Sequence, residues 1–157
     1  MSKNNEKQVH VVGIYVWRGK AYLPTQAQYE SGIYVDVEPV YIVNIQAEYL
    51  SEAIQKLQAT EHDRIPDPKS REEFLARKSP ILLATGARNW KQLAKSGASY
   101  DITWSKDEVR INMSRLDKKG RWEFDPNKVR ILTPNTPIEM IVKIILEDLK
   151  TRPEVFQ

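Results

Sequence analysis

The side chains with the most chemical potential cluster in the first half of the chain. "EHD" sets Glu61, His62 and Asp63 side by side, and His10 is the other histidine. A zinc centre needs three or four ligands converging on one point. Adjacent residues in a loop point in different directions, so the tripeptide reads as solvated and no metal is expected. "DVEP" carries Asp36 and Glu38, and "PDPKSREEFLARK" adds further carboxylates around Lys69. Spaced carboxylates with a lysine are what a magnesium-dependent nuclease uses to hold metal and attacking water. Here no aspartate ends an apolar strand with its partners on the next, and the pattern reads as a surface loop followed by a helix. The six glycines are scattered singly and form no phosphate-binding loop. No G-x-S-x-G elbow occurs. No cofactor and no catalytic activity are expected; a hydrolase with an unrecognised site is the third-ranked reading.

These residues must be positioned by elements of both periods. "HVVGIYVWRGKAYLPTQAQ" reads as a hairpin turning at Arg18–Lys20, and "GIYVDVEPVYIVNI" continues as strand, with Pro39 marking a bulge or a sheet edge. "AEYLSEAIQKLQAT" repeats Leu50, Ala53, Ile54 and Leu57 at helical spacing. Residues 61–70 hold two prolines and no apolar period, and are expected as a flexible loop. Ser70 with Glu73 forms a capping box, Ser79-Pro80 a second helix start ending at Gly86, and Asn89 a third cap before "WKQLAK".

From residue 99 the period becomes two. Tyr100/Ile102/Trp104, Val109/Ile111/Met113, Trp122/Phe124 and Val129/Ile131 each share a face, with turns at "SKDE", "LDKKG" and "DPN". That predicts an antiparallel meander with one buried face, onto which Trp104 and Trp122 point, with Trp90 also facing the core. Thr136, Pro137 and Glu139 predict the start of a final, mostly buried helix. The fold class is α+β: one domain, an antiparallel sheet with helices packed on it. Residues 1–8 are expected as a disordered lead-in, 9–150 as the folded body and 151–157 as a tail.

Composition narrows the function classes. Without cysteine there are no disulfides and no thiol chemistry, which suits a reducing compartment. "MSKNNEKQ" lacks an apolar signal region, no run approaches a membrane span, and the expected location is cytoplasmic. The net charge of +3 is unevenly spread. Residues 1–66 carry six basic against eight acidic side chains, whereas residues 67–98 carry seven against three. One reading of the basic middle is a nucleic-acid surface: Thr103, Arg110, Asn112, Arg121, Lys128 and Arg130 opposite the apolar sheet face, with Arg88, Lys91 and Lys95 around Trp90. Asp101 and Glu123 share that face, so a solvated sheet surface is the plainer reading. A nucleic-acid-binding regulatory module stands as the alternative.

The order of motifs adds a resemblance. "SPILLATG" followed by a "W-K" helix, then "GRWEFDPNKVRIL" and a last helix after "TPIE", resembles the immunity proteins of bacterial contact-dependent growth inhibition systems. "VWRGKAYLP" and "SGIYVDVEP" look like that family's opening hairpin. The likeness spans about residues 9–149 and is clearest in 79–90 and 120–132. It implies a small cytoplasmic bacterial protein that binds and neutralises the toxic C-terminal domain of a cognate effector, often a nuclease. Such a protein needs a complementary surface and no active site. Charge complementarity to a basic toxin points to the acidic front third, with Glu30, Asp36, Glu38, Glu61 and Asp63 as partner-binding candidates.

Overall fold

In "HVVGIYVW" side chains alternate between the two faces of a strand. The computed structural model, which describes residues 9–157, puts Val12, Ile14 and Val16 on one side of strand β1 (His10–Trp17) and Tyr15 and Trp17 on the other. The lead-in expected over residues 1–8 lies outside the described residues. Arg18 and Gly19 both take positive φ, the two-residue hairpin turn that matches strand twist, and lead into β2 (Lys20–Tyr29).

The fold is α+β, and its eight-stranded sheet follows the path β3 (Tyr34–Asn44), β2, β1, β5 (Ala98–Trp104), β6 (Val109–Leu116), β7 (Trp122–Phe124). β3 (Tyr34–Asn44) is the edge strand, and its register against β2 shifts between Pro24 and Thr25. The residues left over opposite that step are Glu38 and Pro39, so the bulge expected from Pro39 is present. β5 (Ala98–Trp104) pairs antiparallel with β1, and β6 (Val109–Leu116) with β5.

Two sets of helices cover opposite faces. Helix α1 (Ala47–Gln58) and the C-terminal helix α5 (Ile138–Leu149) bury Leu50, Ile54, Ile141 and Ile145 against Ile14, Ile102 and Ile111. On the other face, α3 (Pro80–Thr85) and α4 (Trp90–Ser96) bring Ile81 and Leu93 onto Trp17 and Tyr22. Ser79 and Asn89 cap these two helices as expected, and Gly86 closes α3 in the left-handed conformation. α2 (Arg71–Ala76) starts at Ser70, whose hydroxyl accepts from Glu73 N; the Glu73 carboxylate reaches back to Lys69 N rather than to the cap residue itself.

Several expectations are corrected. The 61–70 loop contains β4 (Arg64–Ile65), a short parallel partner of β2. The meander ends early. β7 (Trp122–Phe124) and β8 (Arg130–Leu132) both pair with β6 and run in the same direction, so "DPN" interrupts one strand instead of reversing the chain. The interruption shifts the register by an odd number of residues, which exchanges faces. Trp122 and Phe124 therefore lie on the face opposite Ile111, Ile131 is exposed, and Leu132 packs on the core. Trp90 is 40% exposed and Trp104 only partly buried.

Helix α5 (Ile138–Leu149) begins at Pro137 without a side-chain cap, because the Thr136 hydroxyl donates to Thr133 O. The expected tail is packed: Pro153–Phe156 form a 3-10 turn with Val155 fully buried, and Val155 O accepts from Gly19 N at 2.8 Å.

Candidate functional site

α3 and α4 cover only part of the second sheet face. The remainder is a groove of about 540 Å³. Strand alternation fixes its floor: Gly13 and Tyr15 from β1, Gln26 from β2, Asp36 from β3, Ser99 and Asp101 from β5. Phe74 and Leu75 of α2, Arg77 just beyond it, Trp90 of α4 and Phe124 of β7 stand around it. The four apolar side chains of this rim are 40–65% exposed. α2 buries no residue at all, so Phe74 and Leu75 serve the groove wall and not a core. Tyr15 lies 5.7 Å from Trp90 and 5.9 Å from Trp122, which joins rim and floor into one aromatic cluster.

The floor is acidic. Tyr15 Oη donates to Asp36 Oδ2 at 2.7 Å, and Gln26 Nε2 donates to Oδ1. Burial pushes the Asp36 carboxyl above its ordinary range, against the pull of these two hydrogen bonds and of Arg77. Asp101 Oδ1 accepts from Asn112 Nδ2 at 2.8 Å, and burial raises this carboxyl too. Burial, then Asp36, then the nearby Asp101 charge push the Tyr15 phenol well up. Among the described residues neither carboxylate forms a side-chain ion pair. Arg77 instead donates to the Asp36 backbone carbonyl at 2.5 Å.

A second groove, of about 780 Å³, opens where β1 begins, and Glu30, Glu61 and Arg64 line it together with His10 and His62. His10 and His62 are 52 positions apart in the chain, yet their rings stack at 4.2 Å and 18°. Both nitrogens of His62 are occupied by backbone groups, Val11 N–H on Nε2 and Gln26 O on Nδ1. Among the described residues no three metal-binding side chains converge.

The five acidic candidates thus separate. Asp36 is on the floor of the first groove, and Glu30 and Glu61 line the second. Glu38 is exposed on the edge strand, and exposed Asp63 offers its backbone carbonyl to Gln28 N at 2.8 Å. Asp101, Tyr15 and Trp90 were not among them. Their signal, a polar residue on each of two strands beside an aromatic helix start, becomes legible only once the strand order β3-β2-β1-β5 is known.

Three of the seven basic residues read as a nucleic-acid face are held in ion pairs. Arg110 pairs with Glu108, Arg121 with Asp117, and Lys128 with Asp148 on the helix-covered face.

No family model and no curated protein matches the sequence. Solved structures do match. A chain of a CdiA-CT/CdiI toxin and immunity complex from Yersinia pseudotuberculosis superposes with a TM-score of 0.65 at 13% identity, covering 91% of this chain and 97% of that one. A protein of unknown function from Neisseria meningitidis superposes with a TM-score of 0.64 at 19% identity, covering 92% and 97%. At such identities the likeness is one of fold: this chain has the fold found in a toxin and immunity complex. No helix of the described residues is long and apolar enough to cross a membrane.

Proposed function

We propose that this chain is an immunity protein that binds and neutralises the C-terminal toxin domain of a contact-dependent growth inhibition effector, acting in the cytoplasm of the bacterium that makes it. The observation that carries the reading is the fold, shared over nine-tenths of the chain with a member of a toxin and immunity complex. The sequence motifs around residues 79–90 and 120–132 support it independently. So does the surface: a rigid sheet bearing a groove with exposed aromatic side chains and carboxylates suits recognition of a protein partner. Neutralisation by such a protein is binding, with no chemical step to perform.

The test is co-expression with the C-terminal domain of an effector encoded beside this gene. Growth should be rescued and the two chains should co-purify. Failure to rescue growth, with no complex at micromolar concentrations, sinks the reading.

A further inference from the structure

The groove over the second sheet face places two carboxylates in an environment that ordinarily demands a counter-charge. Removing a carboxylate from water is costly unless a cation or several hydrogen bonds compensate. Asp36 is served by Tyr15 and Gln26, but Asp101 has one hydrogen-bond donor, Asn112, and no bond to its Oδ2 among the described residues. The nearest cation in the groove lining is Arg77, which is exposed and spends a guanidinium N–H on a backbone carbonyl. Around this floor stand Phe74, Trp90 and Phe124, all at least 40% exposed. Large aromatic side chains left exposed around a concavity mark a binding surface, and their ring faces attract cations.

We propose that this groove receives an arginine side chain projecting from a basic protein partner, its guanidinium reaching Asp101 and its plane stacking on the rim at Trp90. Arginine fits better than lysine, because a planar guanidinium stacks on an aromatic face and donates to a carboxylate at the same time. Burial raises the carboxyl of Asp101, and an arriving cation reverses that penalty. Only the identity of the partner, a toxin domain, rests on the immunity reading; the chemistry of the groove does not.

The experiment titrates the full chain, followed by amide and indole NMR shifts, with N-acetyl-arginine amide and with its neutral isostere N-acetyl-citrulline amide. Saturable shifts confined to Gly13, Trp90 and Asp101 are expected with arginine, and none with citrulline. Asp101→Asn keeps an oxygen for Asn112 while removing the charge, and should weaken arginine binding about tenfold or more. Trp90→Ala, at an exposed position, should weaken it independently. Equal shifts with citrulline, indifference to both variants, or no localised shifts overturn the proposal. So does a concentration-dependent dimer that Trp90→Ala disperses, which would put a second copy in the groove. The toxin pulldown separates the two ideas. A complex that ignores both variants removes the groove assignment and leaves the immunity reading; arginine binding without any toxin complex does the reverse.

Discussion

The backbone N–H of Val11 donates to Nε2 of His62 at 3.0 Å, and Nδ1–H of the same ring donates to Gln26 O at 3.0 Å. β1 and β2 pair directly at Trp17↔Lys20, Val16↔Ala21 and Tyr15↔Tyr22. Continued unbroken, that register would set Val11 opposite Gln26. The strands part beyond Tyr22, where Pro24 has no N–H to offer, and an imidazole bridges the gap as an inserted rung. The rung requires the neutral ring, because a protonated Nε2 cannot accept.

Acid should therefore loosen this end of the sheet. Burial lowers the His62 pKa, and the stacked His10 lowers it further; Tyr34 faces the ring edge-on at 5.2 Å. A lowered imidazole pKa means that the unfolded chain binds more protons. Stability from this group is complete above the ordinary imidazole value of about 6.5 and falls as pH drops through it toward the folded value. Urea unfolding of the native protein and of His62→Ala between about pH 7.5 and 5.5 checks this. The variant should lose about 1–3 kcal/mol at the upper pH, from the unpaired Val11 and Gln26 groups, and show a shallower acid slope. An identical slope would place the titrating group elsewhere.

Asp148 is the opposite case, a buried carboxylate fully served. It accepts from Tyr100 Oη at 2.5 Å, Lys128 Nζ at 2.8 Å and Arg152 Nε at 2.8 Å, clamping α5 to the sheet and to the C-terminal turn. Burial alone would raise its pKa, but the hydrogen bonds from Lys128 and Tyr100 and the charge of Arg152 hold it below the ordinary range. Its stabilisation is then present above the ordinary carboxylate value of about 3.9 and is lost as pH falls through the folded pKa. Asp148→Ala leaves Arg152 Nε, Lys128 Nζ and the Tyr100 hydroxyl without the carboxylate they donate to, although Arg152 Nη2 keeps Ser114 O, and should cost about 3–5 kcal/mol at neutral pH. A loss below about 1 kcal/mol would show that water replaces the carboxylate.

How much was legible follows from which interactions are local. The caps at Ser70, Ser79 and Asn89, the hairpin at Arg18 and Gly19, and the buried stripe of α1 are short-range and legible in the sequence. What failed depended on register. "DPN" looks like a reversal, yet the chain continues along β6, and the odd shift turned Trp122 and Phe124 away from the main core. Asp148 interrupts an apolar stripe with no local sign that Lys128 and Arg152 would reach it. The groove needs β3, β2, β1 and β5 in that order, a set of pairings that includes the long-range β1–β5 one and that periodicity cannot supply.

Gly97 shows the same limit at one residue. Read from sequence, it merely ends α4. In the fold, a Cβ at Gly97 would lie 2.5 Å from Leu93 O and 2.7 Å from Val16 O, both backbone atoms that hold a helix end and β1. Gly97→Ala must move one of them and should cost about 1–3 kcal/mol. Gly13→Ala meets nothing closer than 3.5 Å and should cost less by thermal unfolding. If Gly97→Ala unfolds with the native midpoint, the close approach of α4 to β1 is wrong.

The two groove carboxylates should respond oppositely to neutralisation. Asp36 uses both oxygens, one for Tyr15 and one for Gln26. Asp36→Asn keeps a single acceptor, strands one of these donors, and should destabilise the fold. Asp101→Asn keeps the oxygen that Asn112 needs and removes a charge that burial disfavours. The sign follows from the raised pKa. The folded chain takes up a proton more readily than the unfolded chain, so stability from this group is present below the ordinary carboxylate value and lost as pH rises through the folded pKa. At neutral pH the Asp101 charge is a liability to the fold. Asp101→Asn should then unfold at the native midpoint or above it near pH 7, and the difference should vanish below about pH 3.9, where both side chains are neutral. Denaturant midpoints across that range measure it. A variant clearly less stable than the native chain at neutral pH would make Asp101 a structural residue. A variant equally or more stable, yet weaker toward arginine, leaves partner recognition as the reason a half-buried, unpaired carboxylate is held there.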